Sequence, residues 1–217
     1  MALVRAITFD LFGTLLDFDV VRDETPLVAR LLQPTGSRAA PSEVLAAWLG
    51  DSLAERARLP FRSVHRALAV GAQAAFERHG IVADPAEWAD TLQALWASRP
   101  LHDDAKEAIG LALSRRVKVG IVTNLDEEVL TLVLRRTGLG ERVDAAISSE
   151  LAGAYKPDPR PFRMALGRMG VRPQDALHIG DSAAEDVAGA EATGMQAVLL
   201  DRRSSSLLDL LRDRLGA

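Results

Sequence analysis

The sequence predicts an α/β fold: a parallel sheet core with helices on both faces and an all-helical block inserted after the first strand. Three observations carry this. Residues 3–9 form a short, apolar, partly β-branched segment that ends at Asp10, just before Gly13, as a buried strand feeding a turn does. Residues 18–98 then show helical periodicity throughout. From residue 100 onward, helical and strand-like segments alternate, the pattern of parallel βαβ units with right-handed crossovers.

In the inserted block, helices are expected over residues 20–32, 41–58, 61–79 and 85–98. Their starts carry familiar signals: Pro41-Ser42-Glu43, Pro60, and Asp84-Pro85 followed by Glu87 and Trp88. Val64, Leu68, Ala72 and Phe76 share one face of the third helix, and Trp88, Leu92, Leu95 and Trp96 one face of the fourth. After Pro100 the expected order is helix 103–115, strand 117–122, helix 126–136 ending at Gly138, strand 145–148, helix 159–169, strand 176–179, helix 184–192 and strand 196–200. A loop at Arg202-Arg203-Ser204-Ser205-Ser206 then leads to a terminal amphipathic helix, 207–215, read as a packing element. The core is therefore residues 1–17 with 100–217, and the helical block is residues 18–99.

Composition narrows the function classes. The chain has 217 residues, 48% hydrophobic and 26% charged, enough apolar surface for a real core and too short for two large domains. No apolar run approaches the length that spans a bilayer. The amino-terminal stretch has one basic residue and reaches Asp10 too soon for a secretory leader, so a cytoplasmic location is expected. Without cysteine there are no disulfides, thiolate metal sites or cysteine nucleophiles. A net charge of −4 argues against a broad nucleic-acid surface. A small, anionic molecule is the expected partner, and the oligomeric state is left open. His65, His79, His102 and His178 lack metal-ligand spacing, and His178, inside a strand, is read as structural.

In an open parallel sheet, ligands bind beyond the carboxyl ends of the strands. The residues at those ends form one set: Asp10 to Thr14, then Thr123-Asn124, then Lys156-Pro157, then Gly180-Asp181-Ser182 with Glu185-Asp186 beyond. Carboxylates, a hydroxyl and a lysine at one sheet edge suit transfer of an anionic group: the lysine neutralises charge, the hydroxyl and backbone amides hold oxygens, and the acids bind a cation. Thr123-Asn124 can equally cap the next helix.

Four segments in this order, Phe9-Asp10-Leu11-Phe12-Gly13-Thr14-Leu15, Ile121-Val122-Thr123-Asn124, Tyr155-Lys156-Pro157 and His178-Ile179-Gly180-Asp181-Ser182-Ala183-Ala184-Glu185-Asp186, make the chain resemble the haloacid dehalogenase superfamily over essentially its whole length. The branch is the one with a helical cap inserted after the first motif. The resemblance implies a Rossmann-like core in which Asp10 attacks the substrate, forming a covalent aspartyl ester that water later opens. It implies that Thr123 and Asn124 bind the transferred group and that Lys156 pairs with both that group and Asp10. One such donor is worth roughly 3 kcal/mol. It further implies Mg2+ held by Asp10, the Phe12 carbonyl and Asp181, with Asp186 or Glu185 supporting the ion.

Phe12 departs from the phosphatase pattern. Phosphatases of the superfamily have a general acid/base aspartate at that position, and a phenyl ring moves no proton, a loss that commonly costs about 10²–10⁴ in rate. Halide needs no protonation, and 2-haloacid dehalogenases resemble this chain in having an aromatic residue there. Those enzymes work without metal, however, and usually lack the acidic Gly-Asp of the fourth motif; Arg30 and Arg38 are the nearest candidates for their halide-binding arginine. The leading expectation is Mg2+-dependent hydrolysis of a small phosphorylated metabolite. Metal-independent dehalogenation and a catalytically weakened binding module are the alternatives.

Overall fold

The computed structural model describes residues 4–216, with only the backbone described at Val21. Leu3, expected to open the first strand, lies outside the described residues. In chain order the elements are β1 (Ala6–Phe9), α1 (Val20–Leu32), α2 (Pro41–Arg56), α3 (Val64–His79), α4 (Pro85–Ser98), α5 (Ala105–Ser114), β2 (Lys118–Thr123), α6 (Glu127–Thr137), β3 (Ala145–Ser148), α7 (Ser149–Ala152), α8 (Pro159–Met169), β4 (Ala176–Gly180), a π-helical turn (Ala183–Val187) running into α9 (Ala188–Thr193), β5 (Gln196–Leu199) and α10 (Leu207–Leu215). The chain divides into two compact units, Met1–Asp17 with Arg99–Ala217, and Phe18–Ser98.

The first unit is built on a five-stranded sheet in the order β3-β2-β1-β4-β5, every pairing parallel. It is an α/β Rossmann-like fold. β1 and β4 are buried along their whole length, as is β2 after Lys118. Helices cover a parallel sheet on both faces, which is why these strands read as continuous apolar runs rather than alternating ones. Phe9 is level with Ile121 of β2 and Ile179 of β4. That register brings Asp10, Thr123 and Gly180 to one edge of the sheet, where the chain leaves β1 and the strand order reverses.

The second unit contains α1 to α4. Trp48, Phe76 and Trp88 form its aromatic centre: Phe76 and Trp88 meet edge to face at 4.7 Å, and Trp48 lies 5.7 Å from Trp88. Trp48 also donates its indole N–H to the Leu68 carbonyl at 2.7 Å, so its one polar atom is satisfied in the interior. Val64, Leu68, Ala72 and Phe76 are all buried, while on α4 Trp88 and Leu92 are buried and Leu95 and Trp96 half-buried.

Several boundaries differ from the sequence expectation. The third helix starts at Val64 rather than residue 61, because the Ser63 hydroxyl accepts from the Arg66 amide and caps it there. The second ends at Arg56, two residues early, and α5 occupies 105–114 rather than 103–115. The helix expected over 184–192 begins as a π turn, and α7 is a short helix the pattern did not announce. Among the described residues, no helix is long and apolar enough to cross a membrane.

Candidate active site

Asp10 follows β1 directly and its amide donates to the Ile179 carbonyl of β4 at 2.9 Å, so the sheet itself aims the carboxylate. The chain then turns tightly: the amides of Leu15 and Leu16 both reach the Leu11 carbonyl, and Gly13 donates to Leu16. Gly13 has φ +71, and a Cβ there would fall 2.9 Å from the Asp181 Cγ. Only glycine meets both demands, a left-handed backbone and a carboxylate pressed against it.

Lys156, 3% exposed, lies between two acids. Its ammonium donates to Asp10 Oδ1 at 2.5 Å and to Asp186 Oδ1 at 2.6 Å. Asn124 holds the lysine's backbone: its Oδ1 accepts from the Lys156 amide at 2.8 Å, and its Nδ2 donates to Glu185 Oε2 at 2.9 Å. Asp186 is fixed in turn by the Ser182 amide on Oδ2 at 3.0 Å and by His178 Nε2 near Oδ1 at 3.2 Å. The Thr8 hydroxyl lies 2.8 Å from His178 Nδ1. With Thr8 donating there, the imidazole carries its proton on Nε2 and donates to Asp186. Gly180 is glycine for the same reason of space, since a Cβ would collide with the Asp186 carboxyl.

One oxygen each from Asp10, Asp181 and Asp186 lie within 4.8 Å of one another. Burial pushes Asp10 up to about 7, with Asp186 and Asp181 adding to the rise and Lys156 opposing it. Burial also raises Asp181, helped by Asp186. For Asp186 burial acts upward too, but Lys156 and His178 outweigh it and hold the group below the usual carboxylate range. Lys156 is held cationic, since its two carboxylates outweigh its desolvation. Burial pushes His178 down, which keeps it neutral. The cluster thus has three acids and one ammonium, and Asp186 is already matched by Lys156. Asp10 and Asp181 bring hard oxygen donors together, and their raised values are what a small divalent cation held between them would reverse, so the set fits such an ion.

The residues expected from the sequence therefore fall as follows. Asp10, Lys156, Asp181 and Asp186 converge. Thr123 is buried at the end of β2, and Phe12 is half-buried two residues past Asp10. Asn124 does not cap α6, whose N-cap is Asp126; its side chain holds the Lys156 backbone instead. Arg30 and Arg38 are exposed in the helical unit. The sequence reading missed the Thr8–His178 pair. Its trace was present: both are polar residues in apolar strands, each two positions before its strand-end turn, and they are register partners.

The model of the haloacid dehalogenase-like hydrolase family matches residues 4–194. The chain belongs to the haloacid dehalogenase-like hydrolases. This hydrolase is 31% identical over 200 residues to a plasmid-encoded phosphoglycolate phosphatase of Cupriavidus necator, covering 90% of this chain and 80% of that one. It is 32% identical over 160 residues to the phosphoserine phosphatase of Thermus thermophilus, covering 74% of this chain but only 59% of the relative's length. In structure the hydrolase resembles a dehalogenase with a TM-score of 0.71 and 25% identity, covering 94% of this chain and 87% of the other.

Proposed function

We propose that this hydrolase is a Mg2+-dependent phosphatase of a small phosphorylated metabolite, acting in the cytoplasm, with Asp10 as nucleophile and the helical unit as its cap. The observation that supports it best is the surplus of acid around one lysine: Asp10 lies 2.5 Å from the Lys156 ammonium, with Asp181 beside it. Asp10, Asp181 and the Phe12 carbonyl would hold Mg2+, and Asp186 would support it from the side while locking Lys156. When bound, the ion supplies positive charge opposite the phosphoryl oxygens.

The chain's own groups do the rest. Lys156 favours the ionised form of Asp10 against its burial and pairs with the incoming phosphate, while Thr123 and neighbouring amides hold its oxygens. The Asp10 carboxylate forms a bond to phosphorus as the ester P–O bond breaks, giving an aspartyl phosphate and an alkoxide that takes its proton from water. Water then attacks the phosphorus, releases phosphate and restores Asp10. Phe12 contributes no proton to either half. Slow turnover on ordinary alkyl phosphates follows.

The phosphoglycolate and phosphoserine phosphatase relatives support phosphate-ester chemistry. Phe12 and the dehalogenase neighbour favour a second reading, metal-independent hydrolysis of a 2-haloacid. One panel separates them: phosphate release that needs Mg2+, stops with chelator and disappears in Asp10→Asn supports the first reading. Halide release in the presence of chelator, with no phosphate release, replaces it with the second.

A further inference from the structure

We infer that Arg202 is a positioning residue for the nucleophile's loop, and that through Asp104 it makes the C-terminal helix part of the machinery that holds Asp10 in place. This rests on the proposed role of Asp10. All the groups involved lie in the sheet-containing unit.

The guanidinium of Arg202 spans two partners. Its Nε donates to the Thr14 carbonyl at 2.9 Å, and its Nη2 donates to the same oxygen. Its Nη1 lies 2.8 and 2.9 Å from the two oxygens of Asp104. Thr14 is fully buried and sits four residues past Asp10, in the turn that also carries Gly13. Three other carbonyls of this turn accept from backbone amides: Leu11 from Leu15 and Leu16, Leu15 from His102, and Leu16 from Gly13. At Thr14 a side chain 188 residues away does that work.

Asp104 ties the clamp to the end of the chain. It occupies the N-cap position of α5 but makes no side-chain bond to that helix. Its Oδ2 accepts instead from the Ser206 hydroxyl at 3.0 Å and from the amides of Leu207 and Leu208 at 2.8 and 3.3 Å, the first turn of α10. Burial opposes ionisation of Asp104, but Arg202 and these donors outweigh it and keep the group a carboxylate. α10 is anchored by Leu207, Leu208 and Leu211, all buried. A rigid helix thus fixes a carboxylate, which orients a planar fork, which fixes one buried carbonyl in the nucleophile's turn. Without the fork, that carbonyl must find a new donor and the turn shifts. A shift of about 1 Å in a catalytic group costs about 10²-fold in rate.

The test uses the full chain and compares Arg202→Ala, Arg202→Lys, Asp104→Asn and Leu139→Ala. The last removes a buried side chain of the turn after α6, which belongs to neither the fork nor α10. Steady-state kinetics are read with the best phosphate ester, and amide exchange is read at residues 13–16. Arg202→Ala should lower kcat by about 10²-fold with KM little changed, speed exchange at Gly13, Leu15 and Leu16, and regain rate on adding guanidinium ion. Arg202→Lys and Asp104→Asn should fall between it and the parent, and Leu139→Ala should lose stability but keep kcat. An Arg202→Ala enzyme with the parent's kcat and loop exchange overturns the proposal, as does an equal kcat loss in Leu139→Ala. A parent with no phosphate turnover would sink the phosphatase reading alone, and loop exchange in Arg202→Ala would then decide the clamp.

Discussion

Each unit of this hydrolase buries a carboxylate, and the two are stabilised in opposite ways. In the sheet-containing unit, Asp186 is 1% exposed, yet it accepts from the Lys156 ammonium and the Ser182 amide and faces the His178 imidazole, and it stays ionised. In the helical unit, Glu24 is equally buried, but only Oε1 has a donor, the Trp96 indole at 2.7 Å. Its Oε2 has no hydrogen-bond partner, and burial, with Asp23 nearby adding to the effect, pushes its pKa up to about 7. A buried carboxyl must be either matched by donors and a cation or neutral. The first kind holds the Lys156 ammonium in place; the second, a carboxyl that keeps its proton up to about pH 7, links α1 to α4.

Removing the cation should produce the largest effect. Lys156→Met leaves the oxygens of Asp10 and Asp186 facing each other in the interior, and breaking such a buried pair costs about 3–5 kcal/mol. The denaturant midpoint at neutral pH should fall accordingly with the slope unchanged, and activity should vanish. A midpoint close to the parent's would mean that the acids are not held by the lysine.

Glu24→Gln should come next, and it acts through pH. Glu24 has an ordinary value of 4.5 and about 7 in the folded chain. The folded state therefore keeps a proton that the unfolded chain releases, so its contribution to stability is largest below pH 4.5 and declines until about pH 7. The full decline is about 3 kcal/mol. Asp10 changes in the same direction, so the readout is the difference between variant and parent, followed by tryptophan fluorescence, since Trp48, Trp88 and Trp96 all lie in the helical unit. The variant's curve should be flatter between pH 4.5 and 7; parallel curves would refute the neutral-acid account.

The two sites also differ in how much of each could be read from the sequence. Asp10 and Asp181 were legible because a polar residue directly after an apolar strand falls at the sheet edge, whereas Lys156, beyond α7, and Asp186, inside the π-helical turn, were legible through the motifs that resemble the family's. The alternation that predicts parallel strands does not specify their lateral order, and the order decides which loops meet. Glu24 was opaque: on an amphipathic helix an acid is ordinarily solvated, and nothing local shows that Trp96, 72 residues on, will cover it. His178 is structural, as read, but its partners Thr8 and Asp186 were not visible, because a polar residue inside a strand looks the same whether it fills space or serves a neighbour. The Arg202 clamp lay hidden in a serine-rich tail whose pattern announced only a loop and a packing helix.

Asn124 sharpens the comparison at the smallest scale. The sequence offered it as a helix cap or a substrate contact, whereas its side chain is spent on the Lys156 backbone and Glu185. If its work is to hold the lysine, Asn124→Ala strips a buried amide of its acceptor and should cost about 1–3 kcal/mol of stability, with kcat falling as Lys156 drifts and KM little affected. Asn124→Asp keeps the acceptor for Lys156 but turns the bond to Glu185 into repulsion, so it should recover part of the rate and depend more on pH. A substrate contact would behave otherwise: KM would rise in both variants at unchanged stability. Stability and KM measured together therefore assign this residue to the protein's own network or to the molecule it binds.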